Sequence, residues 1–270
     1  GGSGLHHTLI IAEKGSHVSL IQDRISQEQQ PEVNVEVVEI YAEEGAWVRY
    51  ISLQHWVAQR FSVNMHNAEL QHDTNLLWVS STLGGRMSKT FMRSGLNAPG
   101  ARSLMYGMTF GTESQHVDQS TYQHHRAPDT YSDLLFRNIL RDQARTVFYG
   151  MIRVEPEAAG AEGYQANNNL LVSDDQGRSS AHAHAIPGLE IRCNDVRCSH
   201  GATVTHIDPE QRFYLQARGI PQRAADHLIV GGFLQPIIER VPLAYSREHL
   251  QDEIARKQET IRPCSPAPQP

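Results

Sequence analysis

Hydrophobic and polar positions alternate with a period of two along most of this chain. Val33, Val35 and Val37 are separated by Asn34 and Glu36, and Ala46, Val48 and Tyr50 by Trp47 and Arg49. Successive side chains of a strand point to opposite faces, so each run predicts a half-buried strand. Thr146-Val147-Phe148-Tyr149 and Leu170-Leu171-Val172 are short apolar runs bounded by polar or glycine positions, and they too read as strands. Glycine recurs between such runs, at Gly15, Gly45, Gly84, Gly95, Gly107, Gly111, Gly150 and Gly160. Ser132 to Asp142 is the window where a helical stripe competes best with a strand. From Leu5 to about Ile207 the pattern predicts a mainly β region.

One internal echo narrows the architecture. Ala12-Glu13-Lys14-Gly15, with Val18 and Ile21, matches Ala42-Glu43-Glu44-Gly45, with Val48 and Ile51, at a constant offset of 30 residues. A repeat of that length, with strands and a glycine turn, fits the coil of a solenoid. Many short strands must also close their edges, and a sandwich, a cupin-like barrel or a propeller would do so as well. The echo favours a parallel β-helix occupying residues 1–207.

The pattern changes after Asp208. Asp208 can cap a helix with Pro209 in its first turn, running through Phe213, Tyr214 and Ala217 to a stop at Gly219. Pro221 opens a second helix in which Ala225, Leu228, Ile229, Gly232, Phe233, Ile237 and Val241 recur three or four apart, with a kink expected at Pro236. Tyr245 to Gln258 reads as a third. Residues 208–258 are thus a helical module, and the Pro-rich stretch 259–270 is expected to fray.

Composition excludes several classes. The chain has 270 residues, 24 Lys+Arg against 30 Asp+Glu and a formal charge of −6, a poor balance for wrapping nucleic acid. Apolar runs reach about four residues, against the ~18 of a membrane span, and no leader is apparent. Three cysteines cannot staple a chain of this size, so a reducing, cytoplasmic setting is expected. The chain opens on Gly1-Gly2-Ser3-Gly4 without a Met, as a processed fragment would.

Metal-capable side chains are densest at Cys193, Cys198, His200 and His206, with His182 and His184 just upstream. Their spacing, C-x4-C-x-H-x5-H, fits none of the common zinc frameworks. Cys198 and His200 share a strand face, as two ligands would, whereas Cys193 has the opposite parity. The plainer reading is a buried cysteine packing beside a hydrogen-bonded histidine. His6-His7 and His124-His125 are adjacent pairs that cannot chelate alone on a strand, and they read as solvated turn residues. Asn167-Asn168-Asn169 resembles the asparagine ladders of solenoids. No phosphate loop, G-x-S-x-G or H-E-x-x-H occurs, which points away from nucleotide hydrolysis and from common hydrolase chemistry.

Ile186-Pro187-Gly188-Leu189-Glu190-Ile191 followed by Asn194-Asp195-Val196-Arg197-Cys198-Ser199-His200-Gly201-Ala202-Thr203-Val204 resembles the hallmark segment of the SufB/SufD family of the SUF iron–sulfur cluster assembly complex. Gln165 to Asp174, Phe148 to Ile152 and Phe213 to Ile220 agree with it. The likeness is strongest from about Thr130 to Val241, and the Cys-Ser-His-Gly-Ala-Thr form is that of the SufD branch. Two departures stand out. The family usually carries a helical segment before the β-helix, and SufB-type chains carry a functional cysteine where Ile191 stands here.

The resemblance implies a right-handed parallel β-helix with C-terminal helices, and a non-catalytic scaffold. It implies pairing with a SufB paralogue, or with a second copy when isolated, and binding of the ATPase SufC through the helices, with Phe213, Tyr214, Arg218, Gly219 and Phe233 as contact residues. No cofactor would be held stably by the chain alone; iron or a nascent cluster would sit transiently at the SufB interface, with His200 and Cys198 as ligands. That role favours an outward-facing His200 near the last coil. Two other classes are weighed beside it: a polysaccharide-degrading β-helix using Asp174, Asp175 and Asp195, and a Cys/His metalloprotein.

Overall fold

The computed structural model describes residues 3–26, 31–173 and 179–259. Among them, fourteen strands follow one another as β1 (Ser3–Ala12), β2 (His17–Ile25), β3 (Glu32–Ala42), β4 (Trp47–His55), β5 (Arg60–Leu70), β6 (Asn75–Thr82) and β7 (Met87–Leu96), then β8 (Arg102–Gly111), β9 (His116–His125), β10 (Tyr131–Leu140), β11 (Arg145–Val154), β12 (Ala161–Leu171), β13 (His182–Ile191) and β14 (Val196–His206). Odd strands form one seven-stranded parallel sheet and even strands a second, each in chain order. This is a parallel β-helix whose rungs each contribute one strand per sheet, and the window Ser132 to Asp142 is resolved as strand β10.

The echo at offset 30 is the coil register itself. Ala12 pairs with Ala42, Val18 with Val48 and Ile21 with Ile51. Gly15 and Gly45 turn the corner at φ +69° and +70°, a conformation that costs glycine nothing. The N–H of each corner residue donates to the carbonyl of the next rung, from Gly15 to Glu44 (2.9 Å), Gly45 to His72 (2.8 Å) and Asp73 to Pro99 (3.0 Å). The same corner residue is Asp73 or Asp129 in other rungs, at φ +55° and +54°. Asp tolerates this region better than most residues, so the corner persists where the glycine does not.

The lumen holds the main core, in which Ile40, Tyr50, Leu70, Trp78, Leu96, Met105, Phe136 and Phe148 stack from rung to rung. The asparagine ladder is present: Asn138 Nδ2 donates to Asn169 Oδ1 (2.9 Å) and Asn169 Nδ2 to Asn167 Oδ1 (2.7 Å), all three side chains buried. Two strands, β3 and β5, are reversed relative to their hydrophobic pattern. In β3 the valines 33, 35 and 37 face away from the lumen, while Asn34 and Glu36 are buried inside it. Arg24 and His66 meet the Glu36 carboxylate there, which lets a charge take an inward position. The pair His124-His125 also departs from expectation. Both lie at the end of β9 and are buried, His124 bonded to Glu155 (2.8 Å) and His125 to Thr130 and Ser132 (2.8 Å each). His6 and His7 lie exposed on the edge strand β1 rather than in a turn.

Three helices follow, α1 (Pro209–Ala217), α2 (Gln222–Ile238) and α3 (Ala244–Glu259). Asp208 caps α1 by accepting from the Glu210 N–H (2.9 Å), and Gly219 at φ +83° ends it, with the Ile220 N–H reaching back to the Leu215 carbonyl (3.2 Å). In α2 the buried side is Ala225, Val230, Leu234, Ile237 and Ile238, rotated from the predicted stripe so that Leu228 is left exposed; Pro236 lies within the helix. That side, with Leu250 and Ile254 of α3, packs on the outer face of the even sheet against Tyr106, Met108, Phe110 and Ile139. The helices thus share a second core with the β-helix. No described helix is long and apolar enough to cross a membrane. The expected fraying tail falls outside the described residues from position 260 onward, as do Asp174 and Asp175.

Candidate functional site at the C-terminal opening

The chain's chemistry-bearing segment forms the last rung. Among the described residues, β13 pairs only with β11 and β14 only with β12, so both present a backbone edge that no described strand pairs with. The register decides where side chains point. Cys198 pairs with Gly163, His200 with Gln165, Ala202 with Asn167 and Val204 with Asn169, and these β12 partners are all buried lumen positions. Neighbours in a parallel in-register sheet share a face, so Cys198 and His200 point into the lumen and not outward. His200 is nonetheless exposed, because no further rung covers it. Outward and accessible are different properties at the end of a solenoid.

Across the opening, Leu189 and Ile191 of β13 pair with the buried Ile152 and Val154, which gives them the same inward side. Leu189, Ile191 and Val204 are 38%, 39% and 48% exposed, an apolar rim around His200. Beneath the rim lies a polar floor. Gln165, directly under His200, is buried with neither amide atom bonded among the described residues. Its side chain lies so close over Gly150 that a Cβ there would sit 2.5 Å from it. A lumen residue at position 150 therefore has to be glycine for Gln165 to fit.

Cys198 is half-buried and packs with Cys193 and Val196 against Ile152, Val154, Ala158 and Ala161. Burial pushes its thiol pKa up, with the Gly163 backbone opposing only in part. The thiol is thus held protonated and is a poor nucleophile by itself. Deeper in the same lumen, His125 is buried and its pKa is lowered to about 4, by desolvation first and then by the neighbouring His124 charge. Both ring nitrogens of this neutral imidazole lie within hydrogen-bond reach of Thr130 and Ser132 hydroxyls.

Cys193, Cys198, His200 and His206 do not converge: among the described residues, the one grouping of three ligand atoms within 4.8 Å of one another lies elsewhere, at Asp23, His55 and His249. His182 and His184 have the parity of Arg145 and Val147, outside the lumen. Asp195 is exposed in the turn before β14. Gln165, Leu189, Ile191 and Val204 lay within segments quoted for the family resemblance, and His125 within a histidine pair, but none was assigned to the site; the coil offset of 35 between Gln165 and His200 is the signal that would have paired the first with it.

The other predicted contact residues lie on the helices. Phe213 and Tyr214 are 72% and 57% exposed on α1, which carries no buried residue and is tied to α2 by Arg212 and Asp226 at 2.7 Å. Arg218 lies over the Tyr214 ring at 4.9 Å. Phe233 is half-buried, with Arg137 of β10 over its ring at 5.2 Å and bonded to its carbonyl at 2.6 Å.

A family model described as "SUF system FeS cluster assembly, SufBD core domain" matches residues 2–233. An iron–sulfur cluster assembly SufBD family protein of Mycobacterium leprae is 28% identical over 242 residues, covering 89% of this chain and 27% of the relative. A second one of that organism is 29% identical over 221 residues, covering 79% and 55%. One of Staphylococcus saprophyticus is 27% identical over 242 residues, covering 89% and 51%. The chain spans about a quarter to a half of the length of these relatives.

Proposed function

The chain belongs to the SufBD core-domain family of the SUF iron–sulfur cluster assembly system, and from that premise we propose that it is a SufD-type scaffold subunit without turnover of its own. It pairs with a SufB paralogue through the rung formed by β13 and β14, or with a second copy of itself when alone. His200, with Cys198 beside it, offers ligands to iron or a nascent cluster held between the two subunits. The carrying observation is the exposed His200 within an uncovered apolar rim, at a sheet edge that no described strand pairs with. Free edges accept a partner's strand, and apolar surface favours its burial.

The ligand chemistry suits a cargo that must leave. A neutral imidazole ligates borderline Fe(II), while the protonated Cys198 thiol binds only once its proton is displaced. Two ligands from this chain leave coordination positions for the partner. On the helices, Phe213, Tyr214, Arg218 and the Gly219 turn form the exposed surface for the ATPase SufC, in a complex working in the cytoplasm. Phe233 lies behind it, where Arg137 links α2 to the β-helix.

The test is His200→Ala, measured twice: thermal melting of the isolated chain, and cluster formation after reconstitution with SufB and SufC. An unchanged melt with lost cluster formation supports the ligand role. Normal cluster yield per folded molecule overturns it. For the helices, Phe213→Ser with Tyr214→Ser is a better probe than truncation after Ile207, since truncation would strip the second core. Undiminished SufC binding by that variant overturns the docking assignment.

A further inference from the structure

At the opposite end of the molecule, α3 crosses the outer face of the even sheet near its first strands. Asp23 lies exposed near the end of β2, His55 ends β4, and His249 reaches them from α3. His55 Nε2 lies 3.6 Å from Asp23 Oδ1, His249 Nε2 lies 3.9 Å from Asp23 Oδ2, and the two imidazole rings are 4.9 Å apart. One ligand atom from each residue falls within 4.8 Å of the others.

Hydrogen bonding does not account for this cluster. The His55 side chain is only 5% exposed, and neither of its ring nitrogens has a hydrogen-bond partner among the described residues; His249 Nε2 is likewise buried and unbonded. A buried imidazole ordinarily satisfies at least one nitrogen. Gaps of 3.6 and 3.9 Å are too long for such bonds. They are close to the roughly 3.3–3.4 Å that separates two ligands around one tetrahedral ion with bonds of about 2.0–2.1 Å.

We propose that Asp23, His55 and His249 form a binding site for one borderline divalent cation of the Zn(II) or Fe(II) kind, through the two Nε2 atoms and the Asp23 carboxylate. Two imidazoles and one carboxylate with open positions are a donor set for such ions, and too nitrogen-rich for Ca²⁺ or Mg²⁺. Asp23 and His249 side chains are 32% and 23% exposed, so an ion can enter from solvent and keep water as a further ligand. Glu253 stands on the far side of His55, its Oε2 3.9 Å from Nδ1. At that distance it places negative charge beside the imidazole without a hydrogen bond. Arg256 in turn holds the other Glu253 oxygen. Burial lowers the His55 pKa, opposed by Asp23 and Glu253, which keeps the ring neutral and available. The bound ion would clamp the last helix to the first rungs. This site is distinct from the C-terminal opening and does not depend on its role.

The experiment is titration of the tag-free, full 270-residue chain with Zn(II) by calorimetry, and with Co(II) by visible absorbance. The expected result is one equivalent bound, with tetrahedral or five-coordinate Co(II) bands and a raised melting temperature. His249→Gln and Asp23→Asn, which alter partly exposed side chains, should weaken binding by about 100-fold or more. A Cys193→Ser, Cys198→Ser, His200→Ala chain should bind as the wild type does. No binding by the folded wild-type chain, equal binding in His249→Gln and Asp23→Asn, or loss only in the triple variant would each overturn the proposal.

Discussion

The two ends of the lumen solve the problem of a last rung in opposite ways. At the N-terminal end, a buried polar network gathers around Glu36, with Asn34 Nδ2 and His66 Nδ1 left unbonded among the described residues. Glu36 is 2% exposed and meets Arg24, His66 (3.0 Å) and Gln22 (2.6 Å), while Tyr50 donates to Gln22 (2.5 Å). Burial alone would raise the Glu36 pKa; His66 and Arg24 outweigh it and hold the carboxyl at about 2. His66 itself is pushed down by desolvation, so it donates as a neutral ring, stacked on Trp78 at 5.5 Å. Tyr50, above all desolvated, is raised to about 12 and stays a donor. At the C-terminal end, Leu189, Ile191 and Val204 are left uncovered around His200. The Glu36 charge is paired within the chain, whereas an apolar rim gains free energy only when a partner covers it.

Breaking the network is the most damaging change expected. Glu36→Ala strands Arg24 in the lumen and should cost about 3–5 kcal/mol in chemical denaturation. Replacing both residues together, Glu36→Leu with Arg24→Met, should cost much less. Equal losses in the single and double variants would show that the ion pair is not what closes this end.

Acid should separate the two regions by pH window. His125 has a folded pKa of about 4, below its unfolded value near 6.5. The unfolded chain therefore binds the extra proton between those values, and stability falls as pH drops from 6.5 to 4, by roughly 3 kcal/mol. Glu36 is lowered to about 2 from 4.5, so its contribution is present above 4.5 and lost as pH falls from there toward 2. His125→Gln should reduce the slope in the first window, to which the buried His66 also contributes, and leave the second. An unchanged slope between pH 6.5 and 4 would remove His125 as a cause.

The smallest effect on the isolated chain is expected at the rim. Val204→Ser exposes nothing new and should change stability by no more than about 0.5 kcal/mol, yet weaken association with the proposed SufB partner. A large loss of stability would mean that the rim is already packed within the chain.

The difference between the ends was legible only in part. The β3 alternation marked a strand but pointed to the wrong face, because pattern reading assigns the apolar side to the core. Arg24 and His66 arrive from other rungs to make the inward Glu36 acceptable. The solenoid repeat was visible once, at offset 30, because Gly15 and Gly45 share a corner residue. Later rungs pair at an offset of 26, as Leu70 with Leu96, or 31, as Leu140 with Leu171, and their corners alternate aspartate (Asp73, Asp129) with glycine (Gly100, Gly160), which hides the period. The α1 signals survived intact, since Asp208, Pro209 and Gly219 act through local backbone bonds, whereas the α2 stripe was rotated by packing.

By itself the sequence determined what depends on neighbours along the chain: strand and helix locations, the corner glycines, the α1 caps, and the shared face of Cys198 and His200. The tertiary structure alone decided which face that was. His200 points into the lumen and is still exposed, because exposure depends on whether another rung follows. It also brought Asp23, His55 and His249 together. No spacing rule links residues more than 190 positions apart; only the packing of α3 across the first rungs sets their ligand atoms within 4.8 Å.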